Sequence, residues 1–226
     1  MVPESKETRE HIDETDVGCL KQQIARCRVC VDRPKRAPLP HTPRPVVVMS
    51  ATARLRIAGQ APGTRVHASG RPFTDPSGDR LRDWLSMDKE VFYNSDLLAI
   101  VPMGLCFPGL DKHGGDKPPR PECRATWHDR IFSAMPQLET VIAIGQYAQA
   151  YHLGDLKGRS MRETVENWRF IWHVTGERFE RGEGPRILPL PHPSWRNNAW
   201  LSRNPWFSEE VLPTLRVHVK KLIQES

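Results

Sequence analysis

Apolar residues recur along this chain in two rhythms. Short continuous runs at Leu55-Arg56-Ile57-Ala58, Leu97 to Val101, Thr140 to Ile144 and Ile187 to Leu190 have the length of strands buried on both faces. Between them the period lengthens. Val17, Leu20 and Ile24, continuing to Cys27, fall at helical spacing, and Leu81, Trp84 and Leu85 mark the inner face of a second helix. Further helices are expected from about Glu122 to Met135, from Gly145 through Gln146, Ala150 and Leu153, and from about Ser208 to Ile223 after Asn204-Pro205. Residues 31 to 54 carry Pro34, Pro38, Pro40, Pro43 and Pro45, which predicts an extended connector with one edge strand at Val46 to Met49. Residues 102 to 121 form a Gly/Pro loop longer than a plain connection needs.

Alternating strands and helices predict an α/β fold: a three-layer α/β/α domain with a mainly parallel central sheet of about four strands. In such a sheet, ligands gather at the carboxyl ends of the strands. Residues 1 to 15 are polar and are expected to form a flexible leader, with a single domain over 16 to 226. No internal repeat is visible.

Composition narrows the function classes. Hydrophobic residues at 38%, charged residues at 27% and a mean hydropathy of -0.56 are too polar for a membrane span, and the apolar runs are strand-length. The amino-terminal Met1-Val2-Pro3-Glu4-Ser5-Lys6-Glu7 lacks the apolar stretch of a secretory signal, so a cytoplasmic protein is expected. The net charge of +6 and pI near 9.2 suit a polyanionic partner, although charge that serves only solubility gives the same figures.

In a reducing compartment the cysteines are poor material for disulfides, so their spacing is read for metal. Cys27-Arg28-Val29-Cys30 is a Cys-x2-Cys pair at the end of a helix, and Cys106 and Cys123 flank the long loop. Four thiolates meet the need of an iron–sulfur cluster or a structural zinc, and Arg28, Lys112, Lys117, Arg120 and Arg124 would offset the negative charge. The alternative is that these thiols are small buried hydrophobes, the reading given to Cys19.

Two loops carry the remaining chemistry. Gly59-Gln60-Ala61-Pro62-Gly63 follows the first strand and Gly70-Arg71-Pro72-Phe73 comes next, so backbone amides and an aromatic face meet where a flat ring could bind; a plain strand-to-helix turn reads the same way. After the fourth strand, Pro191-His192-Pro193-Ser194 holds a histidine in an extended loop. Trp195, Arg196, Trp200, Arg203, Trp206 and Phe207 then interleave rings and cations, a composition suited to stacked bases and phosphates, with core packing claiming part of the aromatics.

Taken in order, Cys27-x2-Cys30, Gly59 to Gly63, Gly70 to Phe73, Cys106 with Cys123, and His192-Pro193-Ser194 resemble the uracil-DNA glycosylase superfamily, most closely its iron–sulfur family 4 branch, over roughly residues 17 to 223. The resemblance implies a [4Fe–4S] cluster on Cys27, Cys30, Cys106 and Cys123, with zinc as the alternative. It implies a monomer acting on DNA that contains damaged or deaminated bases, and hydrolysis of the N-glycosidic bond of a base flipped out of the stack. His192 would stabilise the departing base anion, Phe73 would stack on the base, and Gly59 and Ala61 would line its pocket. Ser194, Arg196 and Arg203 would hold phosphates.

This chain departs from the pattern at three places. Gln60 stands where the iron–sulfur branch has Glu, and an amide cannot take a proton from water. Asp75 stands where the family shows Gly and is the candidate replacement carboxylate, or simply a helix-start residue. The base-reading Asn falls on Pro102, beside Met103, with Asn94 or Asp96 as substitutes if the loop is displaced. A second function therefore stands beside the first: a protein that binds lesions or single strands through the same surface with little or no cleavage.

Overall fold

The computed structural model describes residues 14 to 224, so most of the polar leader lies outside the described residues. Four strands, β1 (Leu55–Ala58), β2 (Leu98–Ile100), β3 (Thr140–Ile144) and β4 (Arg186–Leu190), form one parallel sheet in the order β2-β1-β3-β4. The register sets Ile57 beside Ile100 and Ile142, and Ile142 beside Leu188. Because both faces are covered, the strands read as continuous apolar runs rather than alternating ones.

Successive side chains still serve different layers. Leu55, Ile57, Ile142, Ile144, Leu188 and Leu190 pack with Leu81, Trp84, Phe207, Leu215 and Val219 of the helices on one face. Ala58, Val141, Ala143 and Ile187 point the other way, against Ala148, Leu153 and Ile171, while Ala99 and Val101 meet Val17, Leu20, Ile24 and Ile131. The three-layer arrangement expected from the pattern is therefore what forms.

The helices with clear periodicity are present: Glu14–Ala25, Pro76–Leu85, Gly145–Leu153 and Leu212–Gln224. The helix expected after Glu122 runs from Pro121 to Ser133 with a π-helical turn at Arg124–His128. The edge strand expected at Val46 to Met49 is reduced to one antiparallel bridge, Val48 with Ile100. Cys19 is exposed, contrary to the packing role expected of it.

The helices not anticipated include Met161–Glu166 and Trp168–Glu180, besides the short Thr64–Ser69, Lys89–Phe92 and Asn198–Arg203. The start of Met161–Glu166 was written in the chain as Ser160-Met161-Arg162-Glu163, since the Ser160 hydroxyl oxygen accepts from the Glu163 N–H at 3.1 Å. Arg56 breaks the apolar rule within β1. It is fully buried, donates to the Val101 carbonyl at 3.2 Å and lies over the Phe132 ring at 4.3 Å, and burial lowers its pKa to about 9. Among the described residues its Nε and Nη1 find no hydrogen-bond partner.

Candidate active site and cysteine cavity

The β1–β2 ladder continues past the strands into their loops. The Met103 N–H donates to the Gly59 carbonyl and the Gly104 N–H to the Gln60 carbonyl, each at 2.9 Å. Gly104 is required by closeness, because a Cβ there would stand 3.0 Å from Pro119 and 3.3 Å from Ala61. Gly59, Ala61 and the half-buried Pro102 thus meet at the carboxyl ends of β1 and β2. The Met103 side chain turns instead into the core beside Ala58 and Val141, and its carbonyl faces the His128 ring at 3.1 Å.

Asn94 and Asp96 precede β2, at the opposite end of the strand. The Asn94 side chain accepts from the Asp96 N–H, and the Asp96 carbonyl accepts from Thr52. Neither reaches the end of the sheet where Pro102 lies, so the substitution envisaged for them is corrected.

Phe73 is held in a backbone conformation that side chains seldom adopt, with φ at 54°. Its carbonyl accepts from Arg82 at 3.0 Å and from the Tyr93 hydroxyl at 2.9 Å. Its ring packs edge-on to Phe92 at 6.0 Å and remains half-buried. Gly78 closes the trap: a Cβ on it would lie 1.9 Å from the Phe73 carbonyl oxygen. Strain of this kind persists only where surrounding contacts over-determine it, and it marks positions whose side chain must be aimed.

Asp75 opens helix Pro76–Leu85, and both its carboxylate oxygens accept from the Ser77 hydroxyl, at 2.8 and 2.9 Å. In the same helix Arg80 donates to the Ser194 carbonyl at 3.1 Å. That bond ties the helix opened by Asp75 to the loop after β4. Within that loop the Asn197 amide donates to the His192 carbonyl at 2.6 Å.

The His192 ring is exposed on one side but crowded by protein on the other. Desolvation lowers its pKa, Asp75 opposes the shift and Arg196 adds to it, so the neutral imidazole is the form favoured at neutral pH. Beyond it lie the half-buried Ser194, the exposed Arg196 and Arg203, and Trp195, whose side chain is 74% exposed. The Arg196 guanidinium lies 6.0 Å from the Trp195 ring.

Gln60 does not face into this mouth alone. Its amide nitrogen donates to the Lys117 carbonyl at 3.0 Å, clamping the long loop onto the first. The loop is itself built: the Lys117 N–H donates to Gly109, Leu110 bridges Asp116, and Asp111 caps the turn by accepting from the N–H groups of His113 and Gly115. Asp116, which the sequence reading passed over, sits at its base. Desolvation raises its pKa, Arg196 opposes the rise and Asp111 adds to it. Only the turn chemistry of Asp-x-x-Gly-Gly signalled this hairpin in the chain.

Cys27, Cys30, Cys106 and Cys123 line one cavity, closed by Leu39, Pro43, Pro45, Leu105 and Trp127. Among the described residues no three metal-ligating side chains are drawn together into a ready-made site. The thiols are nonetheless served by donors. Trp127 Nε1 donates to Cys27 Sγ at 3.2 Å, and the Leu105 N–H donates to Cys123 Sγ at 3.4 Å. The hydrogen bond from Cys123, with Arg120 nearby, lowers the Cys30 thiol to about 7, while burial pushes Cys106 up to about 12. Of the cations expected around this site, Arg120 is buried and pairs with Glu122 at 2.9 Å; Arg124 lies over the Tyr151 ring and Arg28 pairs with Asp32.

The sequence model of the uracil DNA glycosylase superfamily matches residues 47–216. That span contains both loops, Phe73, Cys106, Cys123 and His192, and begins after Cys27 and Cys30. Among solved structures, a uracil DNA glycosylase candidate from Methanosarcina acetivorans is similar at 14% identity and a TM-score of 0.44, covering 77% of this chain and 95% of that one. Wild-type SMUG2 from Pedobacter heparinus is similar at 15% identity and a TM-score of 0.33, covering 77% of this chain and 74% of that one.

Proposed function

Since the chain belongs to the uracil DNA glycosylase superfamily, we propose that it hydrolyses the N-glycosidic bond of uracil or a related deaminated base in DNA. The observation that carries this reading is the Arg80–Ser194 bond, which ties the helix opened by Asp75 to the loop of His192. A base-stacking ring, a neutral imidazole and a carboxylate then border one mouth.

In this account a damaged nucleotide leaves the stack and its base is received by Phe73, which is already aimed by its constrained backbone. A neutral His192 donates a hydrogen bond to the base carbonyl, a contact that strengthens as negative charge develops on the leaving base. Gly59 and Ala61 form the floor. Ser194, Arg196 and Arg203 serve the flanking phosphates, and Trp195 offers an uncovered ring to neighbouring bases.

The all-thiolate donor set in one apolar cavity fits an iron–sulfur cluster, which Cys27, Cys30, Cys106 and Cys123 would hold. Zinc is the alternative occupant. When bound, the group would supply a structural cross-link between the segments that carry these cysteines.

One observation favours a lesion-binding protein with little cleavage: the Gln60 amide is engaged by Lys117, so the first motif loop offers no base for water. The two readings separate in one assay. Full-length, metal-loaded protein is incubated with single- and double-stranded oligonucleotides bearing uracil, hypoxanthine or xanthine, and abasic sites are revealed by alkali. Strand scission on at least one substrate is expected; binding without scission on all of them would select the second reading.

A further inference from the structure

We propose that Asp116, on the hairpin of residues 109 to 117, is the carboxylate that activates the hydrolytic water. The inference rests on the glycosylase reading and supplies what Gln60 lacks. Asp116 Oδ2 lies 3.5 Å from the point where a Cβ on Gly63 would stand, so the carboxylate lies against the loop at the carboxyl end of β1. A residue from the second loop thereby occupies the neighbourhood of the first motif.

The adjacent Lys117 holds Asp116 beside the loop of Gly59 to Gly63, since its carbonyl accepts from Gln60 at 3.0 Å. The Arg196 guanidinium opposes the rise of the Asp116 pKa and adds to the fall of the His192 pKa. Asp75 is less free for the task, because Ser77 donates to both its oxygens and it starts a helix. Asp116 is exposed, and no hydrogen bond to its carboxylate is found among the described residues.

The hairpin that carries Asp116 is rigid for a loop. The Asp111 turn, the Leu110–Asp116 bridge and the Gly109–Lys117 hydrogen bond define it, and Gln60 clamps it down through the Lys117 carbonyl. Gln60 thus serves this hairpin as a clamp. Desolvation raises the Asp116 pKa against the pull of Arg196, with Asp111 adding to the rise, which suits a group that must accept a proton.

The step balances as follows. A water O–H proton passes to the Asp116 carboxylate while the water oxygen bonds C1′ of the deoxyribose. The C1′–N bond breaks with its electron pair on the base, whose carbonyl oxygen His192 holds, and the Asp116 proton then leaves through solvent to neutralise the base.

The test is single-turnover excision by full-length, metal-loaded protein on whichever base the wild type removes. Asp116→Asn is expected to slow excision by about 100- to 10,000-fold, with oligonucleotide affinity and melting temperature unchanged and the acid limb of the pH profile abolished. Asp116→Ser should match it, and Asp116→Glu should recover part of the rate. Excision by Asp116→Asn and Asp116→Ser at the wild-type rate overturns the role of Asp116 alone. A wild type inert on every base overturns the glycosylase reading and this role with it.

Discussion

At the scale of single residues, Phe73 joins backbone strain to a half-buried ring. Arg82, Tyr93 and Gly78 hold its φ at 54°, a conformation a benzyl side chain would otherwise leave. If the ring stacks on a base, Phe73→Ala weakens oligonucleotide binding by about 1 to 3 kcal/mol, measured by fluorescence anisotropy. A substitution that changes only the melting temperature would return Phe73 to the core. In the proposed mechanism His192 and Asp116 divide the remaining work, the neutral imidazole donating where charge appears and the carboxylate accepting where a proton departs.

At the scale of elements, the strands and the helices around them were legible because both-face burial leaves continuous apolar runs and one-face burial leaves a helical period. Met161–Glu166 and Trp168–Glu180 were not read, since Trp168, Arg169, Phe170, Trp172 and His173 mix ring and charge without a clean stripe. The His192, Phe73 and Gly59 positions were visible as motifs. Asp116 was not, because its place depends on how a loop folds back, which no local period encodes. The Asn94 and Asp96 alternative failed for a related reason: chain distance from Pro102 did not reveal that they stand at the opposite end of β2.

The same loop joins the cysteine pairs. Cys30 and Cys123 line one cavity, and Cys27 receives a hydrogen bond from Trp127, so the segment after helix Glu14–Ala25 is gathered against the helix after the loop. Anaerobically purified protein is expected to be coloured and to carry about four iron atoms per chain. Colourless protein loaded with zinc would replace the cluster and leave the fold account intact. Cys30→Ser is expected to lower both metal content and melting temperature.

At the scale of the whole molecule, His128 and His218 make stability depend on pH on the acid side. Burial and Arg56 lower His128 to about 4, and burial with Arg186 lowers His218 to about 4. In the unfolded chain these rings take up protons near pH 6.5, whereas the folded protein resists until about pH 4. The unfolded state therefore binds more protons across that window, and stability falls as pH drops from 6.5 toward 4. For the fully buried His128 the slope approaches about 1.4 kcal/mol per pH unit. Denaturant titrations at stepped pH check this, and His128→Phe, if it packs, should flatten the slope.

The net charge of +6 belongs to this scale as well, because it suits a phosphate backbone, and oligonucleotide binding is expected to weaken as salt rises. Among the described residues no helix is long and apolar enough to cross a membrane. The central claim is that this surface breaks a glycosidic bond, and mass spectrometry of a single-turnover reaction tests it most directly. The account predicts free deaminated base together with an intact strand bearing an abasic sugar, and loss of both products in His192→Ala while DNA binding persists. An unchanged strand, with bound oligonucleotide and no free base, would contradict it.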